Sequence, residues 1–115
     1  MLLRLSRSFH RMQLSTLDLS WQIIGRAEAA TLAGMKGLCS LELSGCELED
    51  CSVVDIVFAL QHSLDGLNVS GNPRVTDGCL PLLARVVPGI TKFQLRGTGI
   101  AAEGLRRYLP SIKPF

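Results

Sequence analysis

The residues of this chain that could do chemistry are two histidines, four cysteines and one group of acids, and their spacing points away from each reaction in turn. His10 and His62 are the side chains that would titrate near neutral pH, yet His62 falls at the end of an apolar run and no serine sits in a G-x-S-x-G turn. Gly71-Asn72 and Gly97-Thr98-Gly99 lack the spacing and the following lysine of a phosphate-cradling loop. Glu47, Glu49 and Asp50 lie close together without the recurrent oxygen-ligand spacing of a calcium loop. Cys39, Cys46, Cys51 and Cys79 form no C-x-x-C pair and have no histidine at ligand distance in sequence, so neither a zinc site nor a redox pair is expected. The chain is therefore expected to be no enzyme, with no catalytic residue, no metal and no cofactor.

The elements that must position the remaining side chains follow from a repeat. The apolar pattern Leu14-x-x-Leu17-x-Leu19-x-x-Gln22-x-Ile24 returns as Leu38-x-x-Leu41-x-Leu43-x-x-Cys46-x-Leu48. It returns again as Leu64-x-x-Leu67-x-Val69-x-x-Asn72 and as Ile90-x-x-Phe93-x-Leu95-x-x-Thr98-x-Ile100, at steps of 24, 26 and 26 residues. In the third copy an extra residue follows Asn72, so Val75 takes the last apolar position and Pro73 lies in the insertion, where no backbone donor is needed. A fixed period in this range signals a stack of similar units, none of which can bury its apolar face alone.

This pattern resembles the leucine-rich repeat, L-x-x-L-x-L-x-x-N/C-x-L, over residues 14–112. Leu43-Ser44-Gly45-Cys46, Leu48-Glu49-Asp50 and Val75-Thr76-Asp77-Gly78-Cys79-Leu80 resemble the cysteine-containing subtype found in F-box substrate adaptors. The resemblance implies an α/β leucine-rich repeat solenoid, a short horseshoe segment with parallel strands on the concave face and helices on the convex face. It also implies that Gln22, Cys46, Asn72 and Thr98 form a column satisfying loop backbone groups between coils. Cys46 is then a structural thiol, and without a secretory signal all four thiols are expected to stay reduced inside the cell.

In each copy the L-x-L core reads as a short strand, with helices expected over residues 53–60 and 80–87 and weaker copies over 27–32 and 104–109. Pro81 suits a first helical turn, and Pro88-Gly89 and Pro110 should end their helices. The alternating strand residues would point outward: Thr16, Asp18, Ser20; Ser40, Glu42, Ser44; Gly66, Asn68, Ser70; Lys92, Gln94, Arg96. From these we expect a partner-binding surface of Asp18, Ser20, Glu42, Ser44, Asn68, Ser70, Lys92, Gln94 and Arg96, graded from acidic to basic. Solvation alone also explains polar outward positions. Trp21, the only tryptophan, would either anchor an interface or cover the open edge of the first coil. Arg106, Arg107 and Lys113 around Tyr108 could touch phosphate or an acidic partner, but a solvated helix face explains them more cheaply.

Residues 1–13 stand apart as a first segment, with 14–115 forming a repeat domain of about four coils. The segment carries three arginines and two serines and no acid. On a helix, Leu2, Leu5, Phe9 and Met12 would oppose Arg4, Arg7 and Arg11. It reads as a cap, as a partial repeat, or as a mitochondrial targeting segment.

A net charge of +2 and the absence of a continuous basic stripe with aromatics argue against nucleic acid. The apolar run over residues 51–60 is interrupted by Asp55 and is too short to span a bilayer, so no membrane insertion is expected. The resemblance implies one of two roles. One is a cytoplasmic, non-catalytic interaction module, an adaptor or scaffold holding a protein partner on its concave face. The other is a structural or assembly subunit of a mitochondrial complex, because size and Asp77-Gly78-Cys79-Leu80 are loosely similar to the coupling-factor-B kind of small repeat protein that accompanies the mitochondrial ATP synthase. Neither end carries an obviously polar cap, which leaves self-association or docking through the ends open.

Overall fold

A computed structural model describes residues 15–86 and 92–109. The expectations for residues 1–13, Pro88-Gly89, Pro110 and Lys113 lie outside the described residues. The architecture is mixed α/β. Strands β1 (Thr16–Asp18), β2 (Ser40–Glu42), β3 (Gly66–Asn68) and β4 (Lys92–Gln94) form one parallel sheet in the order β1-β2-β3-β4. Helices α1 (Arg26–Ala33), α2 (Asp50–Leu60), α3 (Leu80–Val86) and α4 (Ala102–Tyr108) follow their strands in sequence. A 3₁₀ turn at Asp77–Cys79 leads into α3.

The L-x-L pattern produces the sheet directly. Leu17, Leu41, Leu67 and Phe93 stand opposite one another in register, and all four side chains are buried. They belong to one core with the next apolar row, Leu19, Leu43, Val69 and Leu95, and with the inward faces of the helices. On α2 those inward residues are Val53, Ile56, Val57 and Leu60, the spacing that gathers side chains on one helical face. Each helix packs on its sequence neighbour, α1 on α2, α2 on α3 and α3 on α4. Among the described residues, no helix is long and apolar enough to cross a membrane.

The helices differ from expectation mainly at their starts. α2 begins at Asp50, three residues before the apolar run, and α1 begins at Arg26, where Glu28 Oε1 accepts a hydrogen bond from the Gly25 N–H (2.9 Å). Pro81 is the second residue of α3, inside its first turn. Val75 is fully buried and Pro73 exposed, as the insertion requires.

One turn recurs after every strand. Trp21, Gly45, Gly71 and Gly97 hold equivalent places, and all four adopt a left-handed backbone with φ of 70°, 61°, 72° and 77°. Glycine reaches this region without cost, whereas a bulky side chain there costs about 1 kcal/mol. Trp21 is the exception in the series. Its indole lies against Gly45, where an added Cβ would fall 2.3 Å from the ring.

Candidate partner-binding face

The strand register brings the outward residues into columns. Thr16, Ser40, Gly66 and Lys92 face one another in sequence, and so do Asp18, Glu42, Asn68 and Gln94. Ser20, Ser44, Ser70 and Arg96 continue the pattern beyond the strands. Trp21 N–H donates to the Ser44 carbonyl (2.7 Å), Gly45 N–H to Ser70 (2.9 Å) and Gly71 N–H to Arg96 (2.7 Å). Of the nine residues named for the surface, Asp18, Glu42, Asn68, Lys92 and Gln94 lie on the strands, and Ser20, Ser44, Ser70 and Arg96 follow them at equivalent places. The fold positions them by its backbone ladder, because side chains two residues apart on a strand point the same way.

Their surroundings differ along the face. Asp18 Oδ1 accepts from the Ser20 N–H (2.9 Å), and this bond holds the carboxyl below its ordinary pKa. Asn68 Oδ1 repeats the contact with the Ser70 N–H (3.0 Å). Asn68 Nδ2 donates to Glu42 Oε2 (2.8 Å), and the Ser20 hydroxyl oxygen accepts from the Ser44 N–H (3.2 Å). The first three strands are thus cross-linked by their own polar side chains. At β4, Lys92, Gln94 and Arg96 are all exposed. A cavity of about 390 Å³ lies beside them, lined by Ser70, Phe93, Gln94, Leu95 and Arg96.

The column of Gln22, Cys46, Asn72 and Thr98 behaves as expected at two of its positions. Asn72 is fully buried, and its Oδ1 accepts from the N–H groups of Cys46 (2.9 Å) and Leu48 (3.0 Å). Its Nδ2 donates to the carbonyls of Leu43 (2.9 Å) and Val69 (2.8 Å). Cys46 Sγ donates to the Leu19 carbonyl (3.2 Å). Among the described residues, the Thr98 hydroxyl bonds only within its own repeat, to the Leu95 carbonyl (2.7 Å) and from the Ile100 N–H (3.3 Å). Gln22 is exposed.

A second set of connections lies at the helix starts. Asp50 accepts from Thr76 through both oxygens, Oδ1 from the backbone N–H and Oδ2 from the hydroxyl, each at 2.6 Å. Asp77 Oδ1 accepts from the Ala101 N–H one repeat further on (2.9 Å). Gly78 and Gly104 leave room for these carboxylates, since a Cβ would lie 3.0 Å from Asp50 Oδ2 and 2.7 Å from Asp77 Oδ2. The sequence did carry a signal: Asp50 and Asp77 recur at nearly the repeat distance, each followed by a glycine one repeat later.

The groups considered for chemistry are otherwise engaged or scattered. Glu49 pairs with Arg74 at 3.0 Å. Cys79 is buried, donates to the Thr76 carbonyl (3.1 Å), and lies near Asp50 and Asp77. Burial first, and the Asp50 carboxylate second, push its thiol up to about 12. Burial also raises Cys46. Among the described residues no group of three His, Cys, Asp or Glu could hold a metal ion.

Trp21 lies at the surface, with its ring against the turn of the second repeat. It is 78% exposed and covers Gly45 of the second repeat. Arg106 and Arg107 occupy the last turn of α4, where cations are favoured, and the Arg107 guanidinium stands 5.8 Å from the Tyr108 ring centre. No family model and no curated protein matches the chain.

Proposed function

We propose that the chain is a leucine-rich repeat solenoid segment serving as a non-catalytic interaction module, with its strand face as the concave surface that holds a protein partner. The observation that carries this reading is the graded face. Asp18 and Glu42 stand on β1 and β2, short polar side chains follow, and exposed Lys92 and Arg96 end the series on β4. A partner segment of opposite charge polarity is complementary to such a surface. A nucleic acid would need cations along the whole face.

Capture of the partner from a cell lysate at mild salt, followed by its identification, tests the reading. Asp18→Lys combined with Glu42→Lys should abolish that capture while the circular dichroism spectrum stays unchanged. Capture that survives the double reversal rejects the face. In this reading the protein is cytoplasmic. The alternative, an assembly subunit of a mitochondrial complex, rests on the arginine- and serine-rich, acid-free composition of residues 1–13. A fluorescent reporter fused to residues 1–20 separates the two, because a diffuse cytosolic signal removes the mitochondrial alternative.

A further inference from the structure

The two edges of the sheet are complementary to each other in backbone polarity and in charge. Along the sheet, the strand starts donate back, as Gly66 N–H does to the Cys39 carbonyl (3.0 Å), and the strand ends donate forward: Leu19 N–H to the Glu42 carbonyl (3.0 Å), Leu43 N–H to Asn68 (2.8 Å) and Val69 N–H to Gln94 (3.0 Å). The turn residues do the same, from Trp21, Gly45 and Gly71 to Ser44, Ser70 and Arg96. At β4 the equivalent donors are the N–H groups of Leu95 and Gly97, and neither has an acceptor among the described residues. At β1 the equivalent acceptors are the carbonyls of Asp18 and Ser20, and among the described residues no strand precedes β1 in the sheet. A sheet edge unpaired among the described residues is a template for another strand.

We propose that a second copy of this chain occupies that edge, with its β1 adding in parallel to β4 so that one sheet runs on from copy to copy. Carrying the observed register one step further sets Lys92 opposite the second copy's Thr16, Phe93 opposite its Leu17 and Gln94 opposite its Asp18. The incoming Asp18 carboxylate then lies diagonally between Lys92 and Arg96. Diagonal neighbours across a strand pair are about 7–8 Å apart, within reach of lysine and arginine side chains. β1 supplies the acid that β4 lacks, and β4 supplies the cations that β1 lacks. The contact is head-to-tail, so it leaves a free β4 edge at one end and a free β1 edge at the other, and growth does not close at a dimer. The outward face stays open in such an assembly and is lengthened by it, so the contact does not depend on the partner reading.

Sedimentation of the full chain at rising concentration tests this. The expected result is a mass that climbs through successive multiples of 12.5 kDa and falls when salt is added. Asp18→Lys alone, and Lys92→Glu with Arg96→Glu, should each weaken association at least tenfold, because both edges of each variant then carry the same sign. Mixing the two variants should restore it, because every junction is again opposite in charge. All three positions are exposed, and unchanged circular dichroism of each variant excludes unfolding. A mass that stays monomeric, a closed dimer, or a mixture that fails to recover overturns the proposal. Partner capture that survives Asp18→Lys with Glu42→Lys, while assembly responds as expected, would instead count against the partner reading alone.

Discussion

Asn72 and Thr98 occupy the same place in successive repeats, and they hold the molecule together in different ways. Asn72 reaches back into the preceding repeat, where it takes the N–H groups of Cys46 and Leu48 and the carbonyl of Leu43. Thr98 also has a repeat behind it, yet among the described residues its hydroxyl bonds only Leu95 and Ile100. The difference lies in the length and the two-ended chemistry of the side chain. A primary amide accepts at one end and donates at the other, while a hydroxyl one bond from Cβ closes a local turn. The centre of the molecule is therefore stitched across repeats, and the fourth repeat is joined mainly by its strand, its apolar packing and Asp77.

The largest test of this contrast is Asn72→Ala. It would leave two N–H groups and at least two carbonyls buried without partners, each costing about 1–3 kcal/mol. With domain stability only about 5–15 kcal/mol, we expect a loss of about 3 kcal/mol or more and a chain close to unfolding by urea titration. Thr98→Ala should cost about 1 kcal/mol in the same titration. Equal losses at the two positions would break the comparison.

Asp50→Ala should come next to Asn72, at about 2 kcal/mol, because it removes two charge-assisted bonds to Thr76. Asp77→Ala removes one bond, to Ala101, and should cost about half as much. Urea midpoints of the two variants check the ratio. Gln22→Ala sets the lower limit, within about 0.5 kcal/mol, because Gln22 is exposed.

Alkaline pH probes the same central region from another side. The Cys79 thiol titrates at about 12 in the folded chain, against 9.0 when unperturbed. The folded state therefore keeps its proton where the unfolded state loses it. Stability from this group is complete below about pH 9 and declines as pH rises from there to about 12. Cys79→Ala should flatten that decline in thermal melts across the same range, and an unchanged slope would remove Cys79 as its cause.

Strands and core were legible in the sequence because both depend on alternation alone. Leu17, Leu41, Leu67 and Phe93 could be named as stacked partners from spacing, and the register places them so. The outward columns were legible for the same reason. The ladder column was legible only as positions, since which member crosses between repeats depends on side-chain reach. The carboxylate bridges from Asp50 and Asp77 left only a faint trace, a glycine about one repeat after each acid, and were missed because the apolar period marks core positions and not the polar atoms joined across 26 and 24 residues. The placement of the Trp21 ring on Gly45 was not legible, because it follows from a left-handed turn that spacing does not specify.

Trp21 also makes the first repeat optically distinct. It is the only tryptophan, it is mostly exposed, and its indole rests on Gly45 across the seam between the first two repeats. Its emission therefore reports that seam and little else, whereas far-ultraviolet circular dichroism reports every helix. Coincident midpoints for the two signals mean that the chain melts as one cooperative unit. If the fluorescence change comes first, the first repeat peels away while the stitched centre around Asn72 and Asp50 persists.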